Sequence, residues 1–186
     1  MRTCGQCRLC CNVFPLPAID KPAGQWCQHL GPAGCTIHDR GQPEVCSQYA
    51  CYWLEHEGLP EESRPDRIGM VVTECGTATV GGHELPVLVI NLQNPDSDRS
   101  SAAQAMIEDF MAAGMAALLL HGPDMRIAYD QTRYTGIRPD DIEAAFWYER
   151  SQDAEELRRL GAVEESFRPL TRAEAEELLA REANSP

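Results

Sequence analysis

The sequence predicts an α+β protein: a loop-rich N-terminal cysteine module followed by a small antiparallel sheet with helices. Three observations predict it. Eight of the nine cysteines fall in the first 51 residues of a 186-residue chain. Prolines and glycines punctuate residues 1–41 so densely that no helical or strand period persists there. Beyond them, short β-rich runs alternate with longer stretches of helical spacing. The length suits one domain, or one domain with a small appended module. We expect residues 1–58 to form the cysteine-rich metal-binding module, with residues 59–186 as an acidic α+β region packed with it into one compact unit.

The elements follow in order. Pro43 can open a helix, because its missing N–H would be unpaired at the first position, and Glu44 suits the dipole there. That helix is expected to run to Glu57 and stop at Gly58. Leu59 to Arg67 reads as a connector. Ile68 to Thr73 and Thr77 to Val80 carry β signals, Gly81-Gly82 is a turn, and Leu85 to Leu92 is a strand with Pro86 near its start. Asn94-Pro95-Asp96-Ser97 breaks the chain before a helix over 99–113, with Ala102, Met106, Phe110 and Met111 on its apolar side and Gly114 as its cap. Met115 to Leu120 reads as a strand, with a longer helix as the alternative. It turns at Gly122-Pro123-Asp124 into Met125 to Asp130. Pro139 opens a helix towards Leu160, ended by Gly161. Thr171 and Glu174 form a capping-box pair for a last helix to Arg181.

Composition excludes several classes. Hydrophobic content of 43% and charged content of 24% are ordinary globular values. No apolar run approaches the roughly 18–20 residues needed to span a bilayer. The N-terminus lacks the apolar core of a signal peptide, so a reducing cytoplasm, where disulfides are rare, is the expected compartment. The net charge is −13, and residues 1–56 hold four acids and four bases, so the later residues carry all of the excess. An acidic chain without a basic stripe is repelled by nucleic acid and by anionic membranes. The expected partner is another protein, docked on the acidic region.

The candidate ligands are Cys4, Cys7, Cys10, Cys11, Cys27, Cys35, Cys46 and Cys51. A two-residue spacer lets two thiolates converge on one ion, and four cysteines in eight residues followed by four more is a strong metal pattern. Too few large apolar side chains accompany them to order the segment by burial alone, and a bound metal supplies folding energy. All-thiolate sites suit zinc or iron, the latter also as an iron–sulfur cluster. The Cys4, Cys7, Cys10 spacing matches the start of a ferredoxin run, without the cysteine-proline that follows there. Side chains of adjacent Cys10 and Cys11 diverge, so they more easily serve two metal atoms. His29, His38 and His56 are possible substitutes, His38 being best placed, although a structural role is the stronger reading for each. Cys75 reads as a buried bystander.

This pattern resembles the CxxCxxCC cysteine-cluster family, described as a zinc- or iron-chelating domain. The residues that carry the resemblance are Cys4-Gly5-Gln6-Cys7-Arg8-Leu9-Cys10-Cys11, Cys27-Gln28-His29-Leu30, Cys35-Thr36-Ile37-His38, Pro43-Glu44-Val45-Cys46 and Tyr49-Ala50-Cys51. The family usually has Tyr at the place of His38 and Arg-Pro at the place of Gln42-Pro43. The resemblance implies metal chelation by the eight cysteines and no settled activity. Larger relatives that methylate flagellin lysines carry a similar cysteine domain.

Three functional readings follow: a metal-binding protein, an iron–sulfur redox or radical enzyme or its accessory subunit, and a thiol redox sensor that releases zinc on oxidation. The chain has no nucleophile elbow, P-loop or dinucleotide fingerprint. Asp124, Asp130, Asp140 and Asp141 read as turn and helix-start residues, and Met106, Met111 and Met115 as core. His83 and His121 flank predicted turns, and a general-base role for them is open but unsupported. Whether the chain is an enzyme stays open at this level.

Overall fold

The structure is a computed structural model, and it describes residues 2–38, 40–122 and 124–159. The side chains of Glu74, Cys75 and residues 150–159 are outside the description, as are the expected stop at Gly161 and the helix capped by Thr171 and Glu174.

The N-terminal residues form short pieces joined by turns: α1 (Cys10–Val13), a two-stranded hairpin of β1 (Leu30–Gly31) and β2 (Gly34–Cys35), α2 (Glu44–Gln48) and α3 (Tyr52–Glu55). The single helix expected from Pro43 to Glu57 is therefore two. Tyr49 and Cys51 take extended backbone between them, with ψ of 125° and 160°. Tertiary anchors outweigh helical continuity here. Tyr49 packs edge-on against Phe14, its hydroxyl lies 3.0 Å from Thr73 Oγ1, and Cys51 is buried.

The connector expected from Leu59 to Arg67 contains a 3-10 turn and a short α4 (Pro65–Ile68). Gly69 ends α4 in the left-handed region at φ 69°, so the first strand starts at Met70 rather than Ile68. The two expected strand pieces are one strand, β3 (Met70–Val80), paired with β4 (His83–Leu92) through the Gly81-Gly82 turn. The helix expected over 99–113 is α5 (Ser101–Ala112), with Ser100 Oγ accepting from the Ala103 N–H. Ala103, not Ala102, faces the core. β5 (Ala116–His121) and β6 (Asp124–Ala128) follow as a strand pair, and α6 (Pro139–Arg159) closes the described chain.

The class is α+β, but the sheet is not wholly antiparallel. Its order is β3-β4-β5-β6, and β4 and β5 run parallel. The reason is the intervening helix: α5 carries the chain back along the sheet, and a strand entered after such a crossover runs the same way as the last.

Alternation along the strands builds two cores. Leu88, Ile90, Ala117 and Leu119 face α5 with Met106, Ile107 and Phe110. Val87, Val89, Ala116 and Leu118 face the other side with Tyr134, Ile142 and Phe146. A bulge between Glu74 and Gly76 makes Cys75 the extra residue of β3. The insertion reverses which parity faces which side. Met70 and Val72 therefore join the α5 core, while Ala78 and Val80 join the α6 core.

The N-terminal module packs around edge strand β3. Leu9, Val13, Cys51 and Trp53 bury Val71. Tyr52, adjacent to Trp53, instead packs on the α5 core and meets Phe110 edge-on at 5.3 Å. Consecutive residues of α3 thus reach two different cores. Arg2 reinforces the contact, donating to the carbonyls of Trp53, Glu57 and Leu59. An exposed strand edge would otherwise offer unpaired backbone groups to other chains.

Candidate metal centre

All eight predicted ligands lie in this module. Cys51 is buried, Cys4 and Cys46 are exposed, and Cys7, Cys10, Cys11, Cys27 and Cys35 are half-buried, all as free thiols. Cys75 falls in β3, outside the module.

Backbone turns position them. The Cys4 carbonyl accepts from the Cys7 N–H at 2.8 Å, the tight turn expected of a two-residue spacer. The Cys11 carbonyl accepts from the Cys27 N–H at 3.0 Å, fastening the next cysteine beside α1. The Cys27 carbonyl accepts from Leu30, and Leu30 pairs with Cys35 across the hairpin. The helix break at Tyr49 leaves Cys46 on the exposed α2 and turns Cys51 inward to share a core with Cys7.

The thiols sense one another. The Cys10 thiol donates a hydrogen bond to Cys11, which raises Cys10 and lowers Cys11 to about 6. Burial raises Cys7, Cys46 and Cys51. Backbone N–H groups of Leu9 near the Cys7 sulfur, and of Leu54 and Trp53 near the Cys51 sulfur, act in the opposite direction. Such donors favour the thiolate form. Cys7 also sits beside Asp66, whose carboxylate is held low by Arg64.

Two cations serve the module. Arg8 donates to the carbonyls of Gly5 and Cys7. A methyl group placed on Gly34 would lie 3.2 Å from the Arg8 guanidinium, so Arg8 spans the first cysteine loop and the hairpin. Lys21 is 5% exposed, and its ammonium donates to the carbonyls of Asn12, Phe14 and Pro22. Burial lowers its pKa, while the negative charges of Cys27, Cys11, Cys10 and Cys46 raise it. Asp20, left-handed at φ 50°, turns the chain so that Lys21 and Leu16 exchange two backbone hydrogen bonds. Sequence reasoning missed Lys21. It is the chain's single lysine among 16 basic residues and falls inside the cysteine segment.

The donor set fits a thiophilic metal: many sulfurs, N–H groups near them and buried positive charge. The buried Asn12 Oδ1 has no hydrogen-bond partner among the described residues, and it too falls in this module. The side chains are not closed on a common centre. Among the described residues, no three His, Cys, Asp or Glu side chains form a metal-binding group.

His56 stacks on Tyr52 at 3.6 Å with Nδ1 2.9 Å from the Tyr52 carbonyl. His29 receives two bonds from Thr36 at its carbonyl, and the His38 N–H donates to the Cys35 carbonyl. Asp130 Oδ1 accepts from Thr132 and Arg133, and Asp141 binds Arg138 at the start of α6, as turn and helix-start residues do. Met106, Met111 and Met115 belong to the α5 core. His83 meets Tyr134 edge-on, and His121 ends β5. Among the described residues, no helix is long and apolar enough to cross a membrane.

No protein family, curated protein or solved structure matches this chain.

Proposed function

We propose that this is a metal-binding protein whose N-terminal cysteines hold zinc or iron, the iron as ions or as an iron–sulfur cluster. The observation that carries the reading is that all eight N-terminal cysteines are free thiols of one module, six of them at least partly buried, with Lys21 buried in the same module. The resemblance to the CxxCxxCC cysteine-cluster family supports it. A reducing, cytoplasmic setting would keep these thiols available.

Elemental analysis of anaerobically purified full-length protein tests the reading. Zinc or iron bound at a fixed ratio is expected, and finding neither metal sinks it. Cys7→Ser should lose much of the metal, while Cys75→Ser should keep it. Brown protein with acid-labile sulfide would favour the iron–sulfur reading, whereas colourless zinc protein would favour a structural or sensing role.

One observation favours the sensor as a second reading. The Cys10 thiol beside it lowers Cys11 to about 6, with Arg8 and Lys21 acting in the same direction. Thiolates react with peroxide where thiols do not. Zinc release on stoichiometric peroxide, reversed by a dithiol, is the expected behaviour.

A further inference from the structure

The geometry points to a second copy of this chain as the partner of edge strand β6, joined antiparallel across a two-fold axis at Met125.

The two edges of the sheet differ. The N-terminal module covers β3, burying Val71 and setting the Tyr49 hydroxyl beside Thr73. β6 is the other end of the order β3-β4-β5-β6, and no described strand lies beyond it. Its register with β5 runs unbroken from Asp124 to Ala128, so no bulge turns this edge away from a partner. Two residues separate His121 from Asp124, and so short a turn makes them a hydrogen-bonded pair. The N–H and C=O groups of Met125 and Ile127 then point away from β5, to the open side. The α5 face is bare here as well. Arg126 lies between two clefts of about 390 Å³ each, one reaching Pro95 and His121, the other Gln104 and Ile107. A strand added beside β6 extends the floor of both.

Charge selects the partner and the register. Arg126 lies opposite Leu119, a residue of the α5 core, so Arg126 and Asp124 stand on the α5 face. Met125 and Ile127 stand on the other face with Leu120. Two copies can pair antiparallel about Met125, Arg126 or Ile127 without turning either face over. A centre at Arg126 sets two guanidinium groups directly opposite each other, which is unfavourable. A centre at Ile127 sets Arg126 opposite Ala128 and Asp124 opposite Asp130. A centre at Met125 sets Asp124 of each copy opposite Arg126 of the other, in non-hydrogen-bonded couples, where side chains lie closest. Asp124 is exposed and makes no ion pair with another described residue. Arg126 uses Nη1 and Nη2 on Asp98 and the Pro95 carbonyl, leaving Nε for a second carboxylate. The strand is thus self-complementary, as a two-fold interface requires.

Sedimentation of the full chain over a concentration series tests this. The unsubstituted chain should pass from its 20.6 kDa monomer to twice that mass as concentration rises. Asp124→Arg alone and Arg126→Asp alone each put like charges opposite, and each should weaken the dimer roughly tenfold or more. An equal mixture of the two variants should regain it, since every such couple in the mixed dimer is then opposite in charge. Met125→Cys reads the register independently. Hydrogen-bonded neighbours lie about 5.5 Å apart at Cα, within disulfide reach. Mild oxidation should therefore join the two substituted positions, as peptide mapping will show. Ile127→Cys should not join, because its two copies lie about 13 Å apart. If Arg126→Asp loses its dispersed β4–β5 amide signals and so does not fold, Asp124→Arg and the disulfide decide. A chain monomeric at millimolar concentration, a dimer indifferent to both charge variants, or joining at Ile127 rather than Met125 overturns the inference.

Discussion

Cys27 donates its backbone N–H to the carbonyl of Cys11 at 3.0 Å, so two cysteines far apart in the chain are fastened through the main chain rather than through sulfur. Neither thiol is in a disulfide. The loop between them carries Lys21, whose ammonium ties together the carbonyls of Asn12, Phe14 and Pro22.

That arrangement makes Lys21 a structural cation as well as a counter-charge. Lys21→Met should leave several buried carbonyls unpaired and destabilise the protein by roughly 2–3 kcal/mol. Urea unfolding of both proteins in chelator measures this. Metal affinity should fall more at the cysteines facing Lys21 than at Cys4 and Cys7. A variant as stable as the original would show that water replaces the ammonium.

Metal uptake should be coupled to proton release. Cys7, Cys46 and Cys51 are raised above the ordinary thiol value, chiefly by burial, so they enter binding protonated at neutral pH. Apparent affinity should therefore rise with pH between pH 6 and 8. Competition with a chromophoric chelator across that range reads it. In the metal-free chain the sign reverses. A raised thiol contributes stability below its unfolded value, and that contribution is lost as pH rises through the folded one. Alkaline pH should loosen the bare module and tighten the loaded one.

Arg126 forks onto both oxygens of Asp98, at 2.8 and 2.9 Å, tying the chain before α5 to edge strand β6. Arg126 lowers the Asp98 carboxyl, so the stability it contributes is present above the unfolded carboxylate value and lost as pH falls through the folded one. Asp98→Asn should cost on the order of 0.5–1 kcal/mol at neutral pH, the scale of a solvent-screened pair. The difference between the two proteins should vanish in acid, as thermal unfolding at several pH values will show.

Gly69 ends α4 at φ 69°, and a Cβ there would lie 2.7 Å from Ser97 Oγ. Gly69→Ala should cost about 1–2 kcal/mol from the left-handed backbone, and the Ser97 contact adds to that. Adding Ser97→Gly relieves the clash but not the φ penalty, so the double variant should recover only part of the loss in chemical denaturation.

Much of the fold was legible in the chain because local chemistry decided it. The Gly81-Gly82 turn, the helix ahead of Gly114 and the strand reading of Met115 to Leu120, preferred there over a longer helix, follow from residue types read in order. The candidate site was legible as a set of cysteines, because spacing and count alone mark them. The burial of Cys51 was not, since the helix that would carry it breaks where Tyr49 packs on Phe14 and reaches Thr73. The bulge at Cys75 was hidden for a similar reason. Two strand-like pieces read the same whether a loop or one inserted residue joins them.

By itself, the sequence determined the α+β class, the concentration of thiols near the N-terminus and the position of most strands and helices. These depend on period, turn residues and composition, which act over a few neighbouring residues. Only the tertiary structure decided that β5 runs parallel to β4, that the module wraps edge strand β3, and that Lys21 is buried among the cysteines. Those outcomes depend on which surfaces meet, and burial against a distant partner outweighs the fraction of a kcal/mol per residue that local propensity supplies.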